Sequence, residues 1–154
     1  MEITLTDTEI AMLRILADMR TLMNRSAGIK NRKVSHEANH VVELDGIIGE
    51  YAFCKLKNVF MDFTAQPRSG SADCQVNGKN IDIKATRHSD GRLLGYIDRN
   101  PDVDIFVLAI IEGNHVSFPG WATADQLYDP INLGNINHNP VYLMTQNQLN
   151  KFKT

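Results

Sequence analysis

The chain has 154 residues, of which 43% are hydrophobic and 22% are charged, a composition typical of one globular domain and not of a disordered chain. Its formal net charge of −2 provides no overall attraction to nucleic acid. Two cysteines are too few for a disulfide scaffold, no apolar run is as long as a membrane span, and the N-terminus lacks a signal-peptide pattern, so we expect a cytoplasmic protein with no membrane partner.

The first part of the chain predicts two helices joined by a basic loop. Thr6 to Asn24 opens with a capping-box pattern and continues with an apolar stripe, which indicates an amphipathic helix. A second helix is expected from about His36 to Asn58, although Gly46 and Gly49 each weaken it by roughly 1 kcal/mol relative to alanine. Between Asp18 and Glu37 there is no acidic residue, but there are five basic ones, and a stretch of this kind can lie along phosphates: Arg20, Arg25, Lys30, Arg32 and Lys33. A solvated basic loop is the alternative.

A hairpin centred on Asn77-Gly78 carries the most informative polar pattern. Asn-Gly is the strongest short-range hairpin signal, because both residues tolerate positive φ. A two-residue turn pairs Val76 with Lys79 and Cys74 with Ile81, and it places Asp73 opposite Asp82. Since side chains alternate along a strand, the polar residues share one face: Asp73, Gln75, Asn80, Asp82, Lys84 and Thr86.

Two facing carboxylates repel each other, and a divalent cation between them would remove that repulsion. A solvated strand face, with Lys84 offsetting the acids, is the alternative interpretation. A three-residue loop would move the side chains of one strand to the other face.

The rest of the chain predicts short strands around one buried strand. Asp104 to Ile111 is a continuous apolar run, which favours a central strand buried on both faces. Thr123 is placed to cap a short helix that ends at Leu127. The other expected elements are short strands at Val59–Phe63, Leu93–Ile97 and His115–Trp121, loops at Gln66–Ser71 and 129–140, and a final short helix after Thr145. This order predicts an α/β fold with a central mixed β-sheet flanked by helices.

The second helix supplies an acidic residue that can join the hairpin site. Glu50 follows Gly49, which would allow another element to approach closely, and Glu43 lies two turns earlier on nearly the same face. Either glutamate could point at the sheet, and we favour Glu50 because of its glycine neighbour. The alternative is an ordinary surface glutamate.

The order of Glu50, Asp73 and Asp82-Ile83-Lys84 resembles the PD-(D/E)XK nuclease superfamily, which has the restriction-endonuclease-like fold. The segments Gly49-Glu50-Tyr51-Ala52-Phe53 and Phe118-Pro119-Gly120-Trp121-Ala122-Thr123 are also similar to parts of small family members. Ala72 stands in place of the proline in the family's motif. The resemblance implies a single nuclease domain over 1–154, with an N-terminal helix and basic loop at 1–35, a catalytic core at 36–128, and a loop with a C-terminal strand or helix at 129–154.

The resemblance also implies a metal-dependent endonuclease acting on DNA, with RNA as an open alternative. Its catalytic residues would be Glu50, Asp73, Asp82 and Lys84. Mg²⁺, for which Mn²⁺ would substitute, would be held by Asp73, Asp82, the Ile83 carbonyl and Glu50. The phosphate contacts would come from Arg20, Arg25, Lys30, Arg32, Lys33, Arg87, His88 and Arg92. Because one small domain cuts one strand at a time, a homodimer or larger homo-oligomer is expected.

Two other functions remain open. His36-Glu37-Ala38-Asn39-His40 matches the H-E-x-x-H pattern, in which two histidines on one helix face bind Zn²⁺ and the glutamate acts as general base. This pattern predicts a zinc metalloprotease, but no third ligand stands at a diagnostic spacing. The chain could also be a nuclease-like module that binds nucleic acid without cutting it.

Overall fold

The computed structural model describes residues 1–28, 39–64 and 72–153, with the backbone alone at 39 and 40. The helices are α1 (Asp7–Ser26), α2 (Asn39–Lys57) and α3 (Ala124–Leu127), and two 3₁₀ turns cover Pro130–Asn132 and Gln146–Gln148. The strands are β1 (Glu2–Thr4), β2 (Cys74–Val76), β3 (Lys79–Thr86), β4 (Leu93–Tyr96), β5 (Ile105–Glu112), β6 (His115–Thr123), β7 (Leu133–Ile136) and β8 (Asn139–Met144).

The strands of the described residues form two sheets. The larger sheet has the order β1-β6-β5-β3-β2, and the smaller one has the order β4-β8-β7. In the larger sheet β3 and β5 run parallel, whereas the other pairs are antiparallel. The predicted α/β class with a mixed sheet is therefore confirmed.

The larger sheet is the middle of three layers. On β5, Val107, Ala109 and Ile111 face the core that contains α1 and α2. The alternate residues Phe106, Leu108 and Ile110 face a second core, which is built with α3 and the smaller sheet. The predicted central strand is thus buried on both faces, because a layer covers each face.

Short-range sequence patterns predicted several elements correctly. Thr6 caps α1 with a complete capping box, in which the Glu9 amide donates to Thr6 Oγ1 at 3.1 Å and the Thr6 amide donates to Glu9 Oε2 at 2.8 Å. The hairpin turns at Asn77 and Gly78, which have φ of 50° and 75°. Its register pairs Cys74 with Ile81, as predicted.

Other expectations were wrong. Val59–Phe63 is not a strand: residues 59–64 have no regular structure and Phe60 is 82% exposed, so its apolar composition did not reflect burial. The 129–140 loop instead contains a 3₁₀ turn, β7 and the start of β8. Asn137 and His138 make the β7–β8 turn with positive φ, and Asn-His is a weaker hairpin signal than Asn-Gly. The final helix is only a 3₁₀ turn, and β1 was not predicted.

Two predicted segments fall partly or wholly beyond the described residues. The predicted start of α2 at His36 lies in 29–38, and the whole of the predicted Gln66–Ser71 loop lies in 65–71. These predictions therefore stand as expectations only.

α2 lies close to the sheet at Gly49. A Cβ added there would meet the Ala85 Cβ at 3.0 Å and the Ile83 Cγ2 at 3.3 Å, whereas nothing lies within 4 Å of one added at Gly46. This close approach brings the neighbouring Glu50 to the edge of β3.

Gly49→Leu is expected to lower the free energy of unfolding by about 1–3 kcal/mol, because the added side chain overpacks the contact between helix and sheet. The matched variant Gly46→Leu should be neutral or stabilising by up to about 1 kcal/mol, since it gains helix propensity without a clash. Urea denaturation measures both, and equal effects at the two positions would contradict the close packing at Gly49.

Candidate active site

A cleft opens along the half of β3 that β2 does not cover. β2 pairs with β3 only as far as Ile81, and no described strand pairs with the outer edge of β3 beyond that residue. Residues from both faces of the sheet can therefore converge at this edge. The cleft has a volume of about 1370 Å³, and its lining includes Glu50, Asp73, Asp82 and Lys84.

Asp73 lies where the strand pairing of the hairpin ends. Its amide donates to the Ile81 carbonyl at 2.9 Å, and its Oδ2 accepts the Ile83 amide at 2.6 Å. The Asp73 side chain thus satisfies a β3 amide beyond the reach of β2. Burial raises the pKa of Asp73 well above its ordinary value, and the nearby carboxylates of Glu50 and Asp82 raise it further.

Asp82 and Lys84 project from the same face of β3, as the hairpin parity predicted. Ile81 and Ile83 point into the core beside the helices, so the residues between and after them point away from the helices. Lys84 Nζ lies 2.7 Å from Asp82 Oδ1 and 2.9 Å from Asp82 Oδ2. Burial opposes the charged form of Lys84, but the charge of Asp82 and its hydrogen bond outweigh that effect and raise the pKa of Lys84.

Glu50 enters the cleft from the helix side. Arg20 of α1 holds it, with Nη1 donating to Glu50 Oε2 at 3.1 Å, and Arg20 also donates to the carbonyls of Asp62 at 2.7 Å and Thr64 at 3.3 Å. Burial raises the pKa of Glu50 against the opposing charge of Arg20, and Glu43 contributes to the rise. Glu43 is buried and also lines the cleft, so both candidate glutamates of α2 face the predicted site.

The donor set has the chemistry that a hard divalent cation requires, but its members are not gathered around one point. Among the described residues, no three His, Cys, Asp or Glu side chains stand close enough together to hold a metal ion. Arg20 engages Glu50, Lys84 engages Asp82, and the Ile83 amide engages Asp73. The carboxylates are nevertheless near enough for Asp82 to help raise the pKa of both Glu50 and Asp73, and a bound cation would relieve that repulsion.

The residues predicted to contact phosphate are in different environments. Arg20 is paired with Glu50, and Arg87 is paired with Asp45. Arg25 is exposed at the end of α1, while His88 and Arg92 are exposed and line the cleft. Lys30, Arg32 and Lys33 lie outside the described residues, as do His36 and Glu37 and the side chain of His40 from the zinc pattern.

Sequence reasoning missed a partly buried ion pair outside the lining of the cleft and two tyrosines that line it. Asp45 is buried and accepts hydrogen bonds from Arg87 Nε and Nη2 at 2.6 to 2.9 Å. Lys84 Nζ lies 5.8 Å from the ring centroid of Tyr96, and Tyr128 lines the same wall. Asp45 could have been noticed as an acid within the apolar stripe of α2. Nothing in the local sequence indicates that Tyr96 and Tyr128 face β3.

Arg87→Ala is expected to lower the free energy of unfolding by about 1–3 kcal/mol, because it leaves the buried Asp45 carboxylate without its arginine. Arg92→Ala, at an exposed position that lines the cleft, is the control and should change stability by less than about 0.5 kcal/mol. Chemical denaturation measures both. Unchanged stability together with weakened DNA binding in Arg87→Ala would instead favour the phosphate contact predicted from the sequence.

The chain matches no protein-family model, no curated protein and no solved structure. The family resemblance therefore depends on the residues themselves. None of the described helices is both long enough and apolar enough to cross a membrane.

Proposed function

We propose that the protein is a Mg²⁺-dependent endonuclease that hydrolyses DNA phosphodiester bonds. The observation that carries this proposal is the convergence of Glu50, Asp73, Asp82 and Lys84 in one cleft, at the edge of β3 that no described strand covers. Holding three carboxylates and a lysine in a half-buried cleft lowers the stability of the fold. A role in ligand binding or catalysis explains why these groups are kept there. Perturbed pKa values at Asp73, Glu50 and Lys84 are typical of functional sites.

The fold we propose is restriction-endonuclease-like. The supporting features are the helical acid of α2 ahead of the hairpin, the short β2, and a long β3 that carries the acid-x-Lys pair beside the parallel strand β5. The proposed location is the cytoplasm, where a nuclease of this kind would meet DNA.

Each residue of the site has a distinct proposed role. Asp73, Asp82 and Glu50, with the Ile83 carbonyl, would hold the cation, and Mn²⁺ would substitute for Mg²⁺. A bound cation would supply positive charge against the scissile phosphate and lower the pKa of an attacking water. The raised pKa of Lys84 keeps it protonated at neutral pH. Lys84 would give up part of its contact with Asp82, contact the scissile phosphate instead and stabilise the transition state.

Arg20 would set the position of Glu50. Its guanidinium bonds to Glu50 and to two carbonyls of the segment after α2, so it fixes the carboxylate relative to two parts of the chain. Arg20 therefore holds Glu50 at the cleft and does not itself donate a proton in the proposed reaction. His88 and Arg92, at the exposed wall of the cleft, would contact phosphates outside the scissile bond.

The direct test is to incubate the purified protein with circular, linear, single-stranded and branched DNA and with RNA, in Mg²⁺, in Mn²⁺ and in a chelator. The proposal predicts cleavage that requires the divalent cation, with circular DNA among the substrates if the activity is endonucleolytic. Intact substrates in every arm, from protein shown to be folded, would refute it.

A non-catalytic DNA-binding module is the second candidate. The observation that favours it is that each acid of the site already has a partner: Asp82 contacts Lys84, Glu50 contacts Arg20, and Asp73 accepts the Ile83 amide. Such a module would bind DNA with the same affinity in Mg²⁺ and in chelator and would leave it uncut. The incubations with Mg²⁺, Mn²⁺ and chelator described above therefore distinguish the two candidates, because only the nuclease cuts DNA.

A further inference from the structure

Helix α1 is apolar over a broad arc, and the described residues bury only one side of it. Leu13, Leu16 and Ala17 pack into the core beneath the helix. The other side of the arc, which we call the outer stripe, is made of large apolar side chains that are 37% to 64% exposed. It consists of Met12, Ile15, Met19, Leu22 and Met23.

The spacing of the outer stripe is that of a coiled-coil seam. Met12, Ile15, Met19 and Leu22 follow one another at intervals of three, four and three residues, which is the a/d pattern of a heptad repeat. A narrow a/d stripe of this kind favours a single partner helix over a broad core. A helix with the same a/d pattern would fit the stripe, and a second copy of α1 is such a helix.

We infer that two copies of this chain associate through the outer stripe, with their α1 helices packed antiparallel about a two-fold axis. Centring the axis between Ile15 and Met19 brings Met12 level with Leu22 of the partner subunit and Ile15 level with Met19 of the partner subunit. Every layer of the seam is then apolar. An isologous pairing of this kind is the commonest arrangement of soluble homo-oligomers.

The charged border of the outer stripe is neutral towards the choice of partner. Arg14 and Asp18 are exposed along the same border. In the antiparallel pair that border meets itself, and both Arg14 and Asp18 lie about 3 Å along the axis from Asp18 of the partner subunit, at 1.5 Å of rise per residue, so an attraction and a repulsion oppose each other. The affinity must therefore come from the apolar seam. Because the border carries one charge of each sign, it provides no net attraction to the anionic headgroups of a membrane.

The size of the outer stripe indicates a dimer of moderate affinity. Burying its exposed area in both copies would remove roughly 1,000 Å² from water, near the lower limit for specific interfaces. We therefore expect a dissociation constant in about the micromolar range. This inference depends on the apolar face and not on nuclease chemistry, so its success or failure is separate from that of the proposed function.

Sedimentation velocity over about 1 to 100 μM tests the association. The wild type should shift from monomer to dimer with concentration, and Ile15→Glu or Leu22→Glu should raise the dissociation constant about 100-fold, because each charge enters the seam twice. Ile131→Glu, at an 85% exposed apolar residue off the stripe, is the matched control and should dimerise like the wild type. Circular dichroism verifies that each variant is folded.

Cross-linking tests the antiparallel geometry independently. When Met12→Cys and Leu22→Cys proteins are mixed, a short bismaleimide should join the two variants to each other and should not join Met12→Cys to itself. The wild type, which retains Cys54 and Cys74, measures the background. A monomer throughout the concentration range would overturn the inference, and so would a dimer that is unaffected by both glutamate variants. Cross-links confined to Met12→Cys pairs would overturn the antiparallel arrangement.

Discussion

Asp82→Asn is expected to abolish cation-dependent DNA cleavage, and Lys84→Ala is expected to reduce the rate about 10²- to 10³-fold, as removal of one group that stabilises transition-state charge usually does. Asparagine keeps the shape of Asp82 but removes the negative charge that would hold the cation. Alanine at 84 removes the one lysine that lines the cleft among the residues the structure describes. Single-turnover cleavage of supercoiled DNA, with the protein in excess, measures both rates.

The Lys79–Asp104 pair provides matched controls for these two variants. Lys79 is on the same strand as Lys84, and its Nζ lies 3.8 Å from Asp104 Oδ1, but neither residue lines the cleft. Lys79→Ala and Asp104→Asn should therefore cleave DNA at rates close to that of the wild type. Cleavage by Asp82→Asn at the wild-type rate would end the nuclease assignment.

Asp73→Asn is expected to stabilise the protein at neutral pH by about 1–2 kcal/mol, the usual gain from relieving an unfavourable group at a functional site. Asparagine can still accept the Ile83 amide through its side-chain oxygen, so the hydrogen bond at the end of β2 is kept. What the variant loses is a buried carboxyl group whose ionisation is opposed by burial and by the nearby carboxylates of Glu50 and Asp82, which raise its pKa. The free energy of unfolding from urea titrations, measured in a chelator, gives the difference between variant and wild type.

The gain in the free energy of unfolding of Asp73→Asn over the wild type should increase with pH. The folded-state pKa of Asp73 lies above its ordinary value of 3.8, so below about pH 3.8 both folded and unfolded chains carry the proton and the charge penalty is absent. As the pH rises beyond that value, the unfolded chain releases its proton first, and the wild type loses stability until the pH passes the folded-state pKa. The advantage of Asp73→Asn should therefore grow with pH and then level off.

Asp104→Asn is the control for this comparison. Asp104 also accepts a β3 amide, that of Asn80, at 2.9 Å, but its neighbour is Lys79 rather than other acids. It should show no gain that increases with pH. Mg²⁺ at ten times its dissociation constant should stabilise the wild type by about 1.4 kcal/mol and should not stabilise Asp73→Asn. Loss of stability in Asp73→Asn at every pH would show that Asp73 serves the fold and not a cation.

The expected loss of cleavage in Asp82→Asn and Lys84→Ala and the expected gain of stability in Asp73→Asn have the same physical origin. The cleft holds acids close together at a cost to stability, and the proposed reaction needs them there. Arg20 and Lys84 reduce that cost in the ligand-free protein by pairing with Glu50 and Asp82. Cation binding would have to compete with these pairs, so the strength of the ion pairs should limit the affinity for Mg²⁺.

The sequence by itself determined the local features on which the site depends. Asn77-Gly78 specified the turn, the turn specified the register, and the alternation of side chains then put Asp82 and Lys84 on one face of β3. The capping residues Thr6 and Thr123 marked the starts of α1 and α3. These signals are readable because each depends on residues that are close together in the chain.

Only the tertiary structure decided which distant groups meet, both at the cleft and in the Asp45–Arg87 pair outside its lining. The pairing of Arg20 with Glu50, the burial of Asp45 against Arg87, and the wall formed by Tyr96 and Tyr128 all join parts of the chain that are far apart in sequence. The free edge of β3 likewise follows from the shortness of β2, because no other described strand pairs with β3 on that side. Such contacts leave no local pattern, because they arise from how the layers pack and not from the periodicity of any single element.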